Sequence, residues 1–200
     1  MGGLWNANIH YDALLATLAS PGDRVLDVGC GDGFLSARLA EAGCHVVALD
    51  VDAGVLERAK QRWPRHRIDW LHADLMTADL PPGSFDVVLS NATLHHLPDT
   101  GEALARMAAL ARPGGRLGVV GFARNGFWDW PMSLVCWVWL GIQIRIRGKW
   151  EHTASVKDPT LTYGETKRVA KAAWPGGVFR RLWLGRFHLT WTKPASFPWG

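Results

Sequence analysis

Three glycines at alternate positions, Gly29, Gly31 and Gly33, constrain the rest of the chain most tightly. They follow Arg24 to Val28, a mostly apolar, valine-rich run after the turn signal Ser20-Pro21-Gly22-Asp23. They precede Phe34 to Ala42, whose apolar residues recur at helical spacing. A buried strand, a glycine turn and a helix in that order let a ligand approach bare backbone at a helix N-terminus. The spacing is Gly-x-Gly-x-Gly, not the Gly-x-Gly-x-x-Gly of dinucleotide sites, which argues against a nicotinamide oxidoreductase. Glycine also serves any tight strand-to-helix turn, so a purely structural role is the plain alternative.

Further strands follow at regular intervals. His45 to Leu49 is apolar and ended by Asp50, Ile68 to His72 leads into Ala73-Asp74-Leu75, Phe85 to Ser90 follows Pro81-Pro82-Gly83-Ser84, and Leu117 to Phe122 follows Arg112-Pro113-Gly114-Gly115. The connections are of helix length, through Val55, Leu56 and Ala59 and through Leu104, Met107, Ala108 and Leu110. Five strands joined in this way imply a right-handed parallel α/β sheet. Near the end, Thr162 and Glu165 form a capping box ahead of a helix over 164–174, and Val178 to Leu184 with Phe187 to Trp191 alternate around Gly185-Arg186 as a β-hairpin. The expected fold class is therefore α/β: a doubly wound, mostly parallel seven-stranded sheet closed by an antiparallel hairpin. At the start, Leu14, Leu15 and Leu18 share one face of a helix over Asp12 to Ala19. Asp50 stands 17 residues beyond Gly33, where a doubly wound fold places an acid to accept hydrogen bonds from ribose hydroxyls. Asp52 reads as the cap of the next helix, and Asp32 has the same reading one helix earlier.

Two hundred residues at 48% hydrophobic suit one domain, here 1–200. Within it we distinguish a starting helix (1–19), a core (20–123), an insertion (124–161), and a final helix and hairpin (162–200). Cys30, Cys44 and Cys136 form no Cys-x-x-Cys pair and have no metal-ligand spacing with the eight histidines, so no metal is expected. An odd cysteine count and no signal peptide over Met1 to Leu15 point to a reducing cytoplasm.

The charge is uneven. Residues 1–123 carry 10 Lys and Arg against 14 Asp and Glu, whereas 124–200 carry 12 against 4 and hold nine of the twelve tryptophans. Trp130 to Ile144 is uncharged, but fifteen residues are too few to span a membrane, which takes about twenty. The expectation for 124–161 is a Trp-rich lid over the site. The alternative is a peripheral membrane contact through 130–149, where Trp137 and Trp139 precede Arg145, Arg147 and Lys149. The basic run Arg58 to Arg67 reads as a solvated helix end rather than a nucleic-acid surface.

Asp27, two residues ahead of the first glycine, makes the opening stretch resemble the first motif of the class I S-adenosylmethionine (SAM)-dependent methyltransferases. Gly83-Ser84-Phe85-Asp86-Val87-Val88 before a strand end is a second, independent match to that family. From Asp27 to Phe122 the order of features resembles these Rossmann-like enzymes, and most of all the small bacterial ones of the ubiquinone/menaquinone-biosynthesis type. The resemblance implies SAM as cofactor and S-adenosylhomocysteine as product. It implies cofactor contacts at Asp27, Gly29, Cys30, Gly31, Gly33, Asp50, Val51, Asp74, Leu75 and Asn91, with Asp74 receiving the adenine amino group and the next backbone N–H reaching a ring nitrogen. It also implies that residues 1–19 act as a lid over the cofactor.

His95 and His96 stand beyond the fourth strand, near the expected methyl group, and histidine suits the base that a weakly acidic hydroxyl needs. We expect His96, with His95 as fallback, to meet Tyr11 of the starting helix across that group; such a pair resembles the arrangement in phosphoethanolamine methyltransferases. The partner is expected to be a small apolar or aromatic methyl acceptor. No Asn-Pro-Pro-Tyr or Asp-Pro-Pro-Tyr follows the fourth strand, which disfavours exocyclic-amine chemistry on nucleic-acid bases. Two rivals remain on the sequence: a SAM-fold protein that binds without transferring, and an RNA methyltransferase using the basic C-terminal part.

Overall fold

The computed structural model describes residues 7–124, 145, 158–183 and 185–195. Among them β1 (Arg24–Val28), β2 (His45–Asp50), β3 (Ile68–His72), β4 (Phe85–Asn91), β5 (Ala111–Phe122), β6 (Val178–Arg181) and β7 (Arg186–Thr192) form one sheet in the order β3-β2-β1-β4-β5-β7-β6. The first five pair in parallel, β7 runs antiparallel to β5, and β6 closes the edge antiparallel to β7. The helices are α1 (Ala7–Ala16), α2 (Phe34–Glu41), α3 (Ala53–Arg62), α4 (Thr100–Leu110) and α5 (Tyr163–Ala173), with a 3₁₀ turn over Leu94–His96.

The sheet is covered on both faces, which explains why its central strands read as nearly continuous apolar runs. Leu26 and Val28 of β1 face a core containing Leu104, Met107 and Trp174 from the α4/α5 side. Val25 points the other way, into a core with Leu15, Leu35, Leu39 and Leu56. The chain winds outward from β1 to β2 and β3, then returns to build β4 and β5 on the other side. Strand order therefore reverses between β1 and β4, and the crevice outside their carboxyl ends is where such sheets bind ligands.

Most boundaries agree with the sequence reading, and the exceptions have physical causes. β5 begins at Ala111, not Leu117, because Ala111 pairs with Phe85 before the register slips to Val87 opposite Arg116. The residues that stop α4 are thus also strand, tied to the C-terminal part by Gly114 N–H to Lys193 O (2.8 Å) and Lys193 N–H to Gly115 O (2.9 Å). α1 runs earlier than expected, ending at Ala16 in a turn where the Leu18 and Ala19 N–H groups donate to the Leu15 and Ala16 carbonyls. Asp52 caps α3 by accepting from Val55 N–H (3.0 Å). Asp32 does not cap α2: the N-cap is Gly33, at φ 76°, with no side-chain bond. The capping box of α5 is present.

The Arg124 N–H donates to the Leu161 carbonyl (2.8 Å) and Arg124 bridges Thr162, so the segment that departs after β5 returns to its point of departure. The expected tryptophan lid over 124–161 lies outside the described residues except at its ends and at Arg145, and the 130–149 membrane face except at Arg145. Residues 1–6 of the expected N-terminal lid also lie outside them. Among the described residues no helix is long and apolar enough to cross a membrane.

Candidate functional site

A cavity of about 480 Å³ opens at the carboxyl ends of β1, β2 and β4. The glycine turn forms its floor. Gly29, Gly31 and Gly33 all have positive φ (68°, 52° and 76°), a conformation glycine adopts at little steric cost. Their surroundings differ. A Cβ at Gly29 would collide with Thr93, which packs there from the loop after β4, and a Cβ at Gly33 would strike Trp70. A Cβ at Gly31 would meet nothing within 4 Å and would project into open space at the cavity wall. Gly31 is therefore the glycine whose missing side chain keeps the cradle clear, while Gly29, also on the cavity lining, makes room for Thr93. Gly33 stands off the cavity lining: it caps α2 and makes room for the Trp63 and Trp70 rings.

Asp50 ends β2 beside this turn. Its Oδ2 accepts from Gly31 N–H (2.9 Å) and its Oδ1 from Asp52 N–H (3.0 Å), so the carboxylate both fixes the turn and faces the cavity. Val51 is 67% exposed on the same rim. Asp74 and Leu75 follow β3 and also line the cavity; Asp74 Oδ1 accepts from Met76 N–H (2.7 Å), a local turn that holds the carboxylate in place. Cys30 lines the floor, and burial pushes its thiol well above the usual range, so it remains protonated and serves as a small apolar wall.

Asp27 is buried within β1, with one oxygen accepting from Ser36 Oγ (2.6 Å). Burial raises its carboxyl from 3.8 to about 7, partly offset by the Ser36 bond. After β4 the chain turns at Ala92, whose φ of 58° is unusual for a residue with a Cβ; its N–H donates to the Val120 carbonyl (2.7 Å). That turn brings Asn91, Thr93, His95 and His96 to the cavity wall. The two imidazoles are 4.1 Å apart between centroids, and His95 meets the edge or face of Phe122 at 5.0 Å and 82°.

Tyr11 does not join them. It lies buried outside the cavity lining, with its hydroxyl donating to the Trp183 carbonyl (3.1 Å), so the structure does not bring it together with His96 on the cavity wall. The neighbouring Asp12, which the sequence reading passed over, lines the cavity instead and accepts from Asn91 Nδ2 (2.7 Å). Adjacent helix positions differ by about 100° in direction, so one residue decides which side chain enters. Asp158 and Pro159 reach the same cavity from the returning end of the insertion.

The methyltransferase-domain family matches residues 26–119, the stretch from β1 to β5. An uncharacterized methyltransferase of Mycobacterium bovis is 50% identical over 197 residues, covering 96% of this chain and 98% of that protein. The 27-O-demethylrifamycin SV methyltransferase of Amycolatopsis mediterranei is 34% identical over 143 residues, or 60% of this chain and 53% of that one. Among solved structures, the 1,6-didemethyltoxoflavin-N1-methyltransferase of Burkholderia thailandensis, with bound 1,6-didemethyltoxoflavin and S-adenosylhomocysteine, superposes with a TM-score of 0.66. It is 28% identical, and the match covers 94% of this chain and 79% of that one. With the sheet order, the closing hairpin and the cavity at the switch point, these likenesses assign the chain: it belongs to the class I SAM-dependent methyltransferases.

Proposed function

We propose that this methyltransferase holds SAM across the Gly29–Gly31 turn and transfers its methyl group to a small apolar or aromatic acceptor beside His95, His96 and Phe122. The observation that carries the reading is the open space over Gly31, bounded by the Asp50 carboxylate on one side and the end of β4 on the other. The residues suit the cofactor. Each carboxylate oxygen of Asp50 has two lone pairs, so it accepts from ribose hydroxyls alongside the backbone bonds it already makes. Asp74 supplies an acceptor for the adenine amino group, and Asp27, Cys30, Val51, Leu75 and Asn91 complete the walls. When bound, SAM supplies an electrophilic methyl group on a sulfonium.

The chain's own contribution is alignment and proton removal. Holding the nucleophile near 3–3.5 Å and in line accounts for much of the rate in such displacements. An imidazole of the His95/His96 pair accepts the acceptor's proton where the nucleophile is a hydroxyl. Seven aspartates line the cavity and no lysine or arginine does so among the described residues, which disfavours an anionic acceptor. The neighbour with bound 1,6-didemethyltoxoflavin supports a small-molecule acceptor in the same fold.

SAM labelled in its methyl group, incubated with the enzyme and a fractionated extract of the source cells, tests this reading. The label is expected in the small-molecule fraction. Label in RNA or protein would overturn the acceptor class, and SAM binding without transfer to any fraction would overturn the reaction.

A further inference from the structure

We propose that Asp12 is a further cofactor-recognition residue, the carboxylate by which this site holds positively charged SAM more tightly than its neutral-sulfur product. The proposal rests on SAM being the ligand of the cavity described above. Asp12 is only 4% exposed, yet it is one of the lining residues. Its Oδ1 accepts from Asn91 Nδ2 at 2.7 Å, and its second oxygen has no hydrogen-bond partner among the described residues. Ionising a carboxyl in so enclosed a place is costly unless a ligand in the cavity provides a donor or positive charge.

The position of Asp12 indicates which part of the ligand it serves. Asn91, its partner, ends β4, next to β1 at the point where the strand order reverses. Toward β2 and β3 lie the glycine turn, Asp50 and Asp74; toward β5 lie His95, His96 and Phe122. Asp12 stands between the two groups, where the sulfur must sit if its methyl is to face the acceptor. The ammonium of the cofactor is common to substrate and product, whereas the sulfonium charge is lost in the reaction. A carboxylate facing the sulfur thus distinguishes the two by charge alone.

The groups around Asp12 leave this role to it. Arg38 from α2 and Arg186 from β7 act on it through space without a hydrogen bond to it, Asp27 from β1 opposes its ionisation, and Asn91 from β4 makes the one direct bond among the described residues. Arg186 lies over the Phe122 ring at 4.0 Å. Burial, reinforced by Asp27 and opposed by the Asn91 bond, Arg38 and Arg186, raises the Asp12 carboxyl from 3.8 to about 7. A cation beside it draws it into the charged form, so at neutral pH SAM binding releases protons and S-adenosylhomocysteine binding releases fewer.

Calorimetry with SAM and with S-adenosylhomocysteine, on wild type and Asp12→Asn, tests the proposal. Asparagine retains an acceptor for Asn91. At pH 8, Asp12→Asn is expected to weaken SAM about ten-fold or more and S-adenosylhomocysteine by a clearly smaller factor, so the preference for SAM shrinks. Equal losses for the two ligands, or an unchanged ratio, would overturn it. The wild type provides a second arm that does not depend on the variant's folding. Titrations at pH 7 in buffers of different ionisation heat should show more protons released with SAM than with the product, and equal release would overturn the proposal. A wild type that binds neither ligand would overturn the SAM reading itself, a distinct outcome.

Discussion

At the scale of single residues, the carboxyls beneath and beside the cavity tie stability to pH. Asp27 is 1% exposed and its carboxyl is raised to about 7, whereas in the unfolded chain it ionises near 3.8. Between those values the native state binds more protons than the unfolded state, so this group makes stability fall as pH rises from about 4 to about 7, with no further change above. Asp12 adds the same sign. His188, whose imidazole burial pushes below its usual 6.5, adds the opposite sign as pH falls through that value. Comparing variant with wild type cancels the groups they share. Asp27→Asn retains an acceptor for Ser36 Oγ and is expected to gain about 1–3 kcal/mol over wild type on going from pH 5 to pH 8, read by urea unfolding. A gain that is flat across this range would show that Asp27 is ionised in the folded state. These residues were unequally legible. Asp27, Asp50 and Asp74 could be found because each lies in, or next to, the end of an apolar strand. Asp12 could not, since it reads as a polar position in a leucine-bearing helix; its value depends on how α1 docks against β4, a contact 79 residues away in sequence.

At the scale of elements, helix ends and strand pairings decide which loops meet the cavity. α5 starts immediately after Leu161 and Thr162, the residues that tie the returning insertion to Arg124. Its capping box joins Thr162 N–H to Glu165 Oε2 (2.8 Å), and the Thr162 Oγ1 accepts from Glu165 N–H. The helix then ends at Trp174, which is fully buried, donates from Nε1 to the Leu104 carbonyl (2.9 Å) and stacks on Trp191. Thr162→Ala is expected to destabilise the protein by about 1 kcal/mol and Thr162→Ser by much less, measured by denaturant midpoint. Equal effects of the two would mean that the cap is not what holds this end. The box was readable because its signals are four consecutive residues. The early start of β5 was not, because Ala111 becomes strand only through pairing with Phe85 and through the tie of Gly114 and Gly115 to Lys193. The tryptophan richness was also ambiguous in sequence. Trp174 and Trp191 are core, and Trp63 and Trp70 pack behind Gly33, so these four owe nothing to a lid.

At the scale of the whole molecule, charge and topology act together. The acidic half of the chain forms the floor of the cavity at the switch point, and a cationic cofactor is drawn to that field. The parallel order, the strand reversal and the closing hairpin were all legible, since periodicity and connection lengths leave few alternatives for a chain of this length. The dinucleotide alternative was set aside on glycine spacing alone, and in the structure that spacing puts Gly31, at φ 52°, against open space rather than against protein. One titration bears most directly on this. Isothermal calorimetry of wild type and Gly31→Val with SAM, and of wild type with NADH, compares both cofactors and removes the cradle in one series. SAM is expected to bind wild type more tightly than NADH does, and Gly31→Val to lose SAM binding while keeping a native circular-dichroism spectrum. NADH binding more tightly than SAM, or a folded Gly31→Val that retains wild-type affinity, would contradict the placement of SAM over this turn.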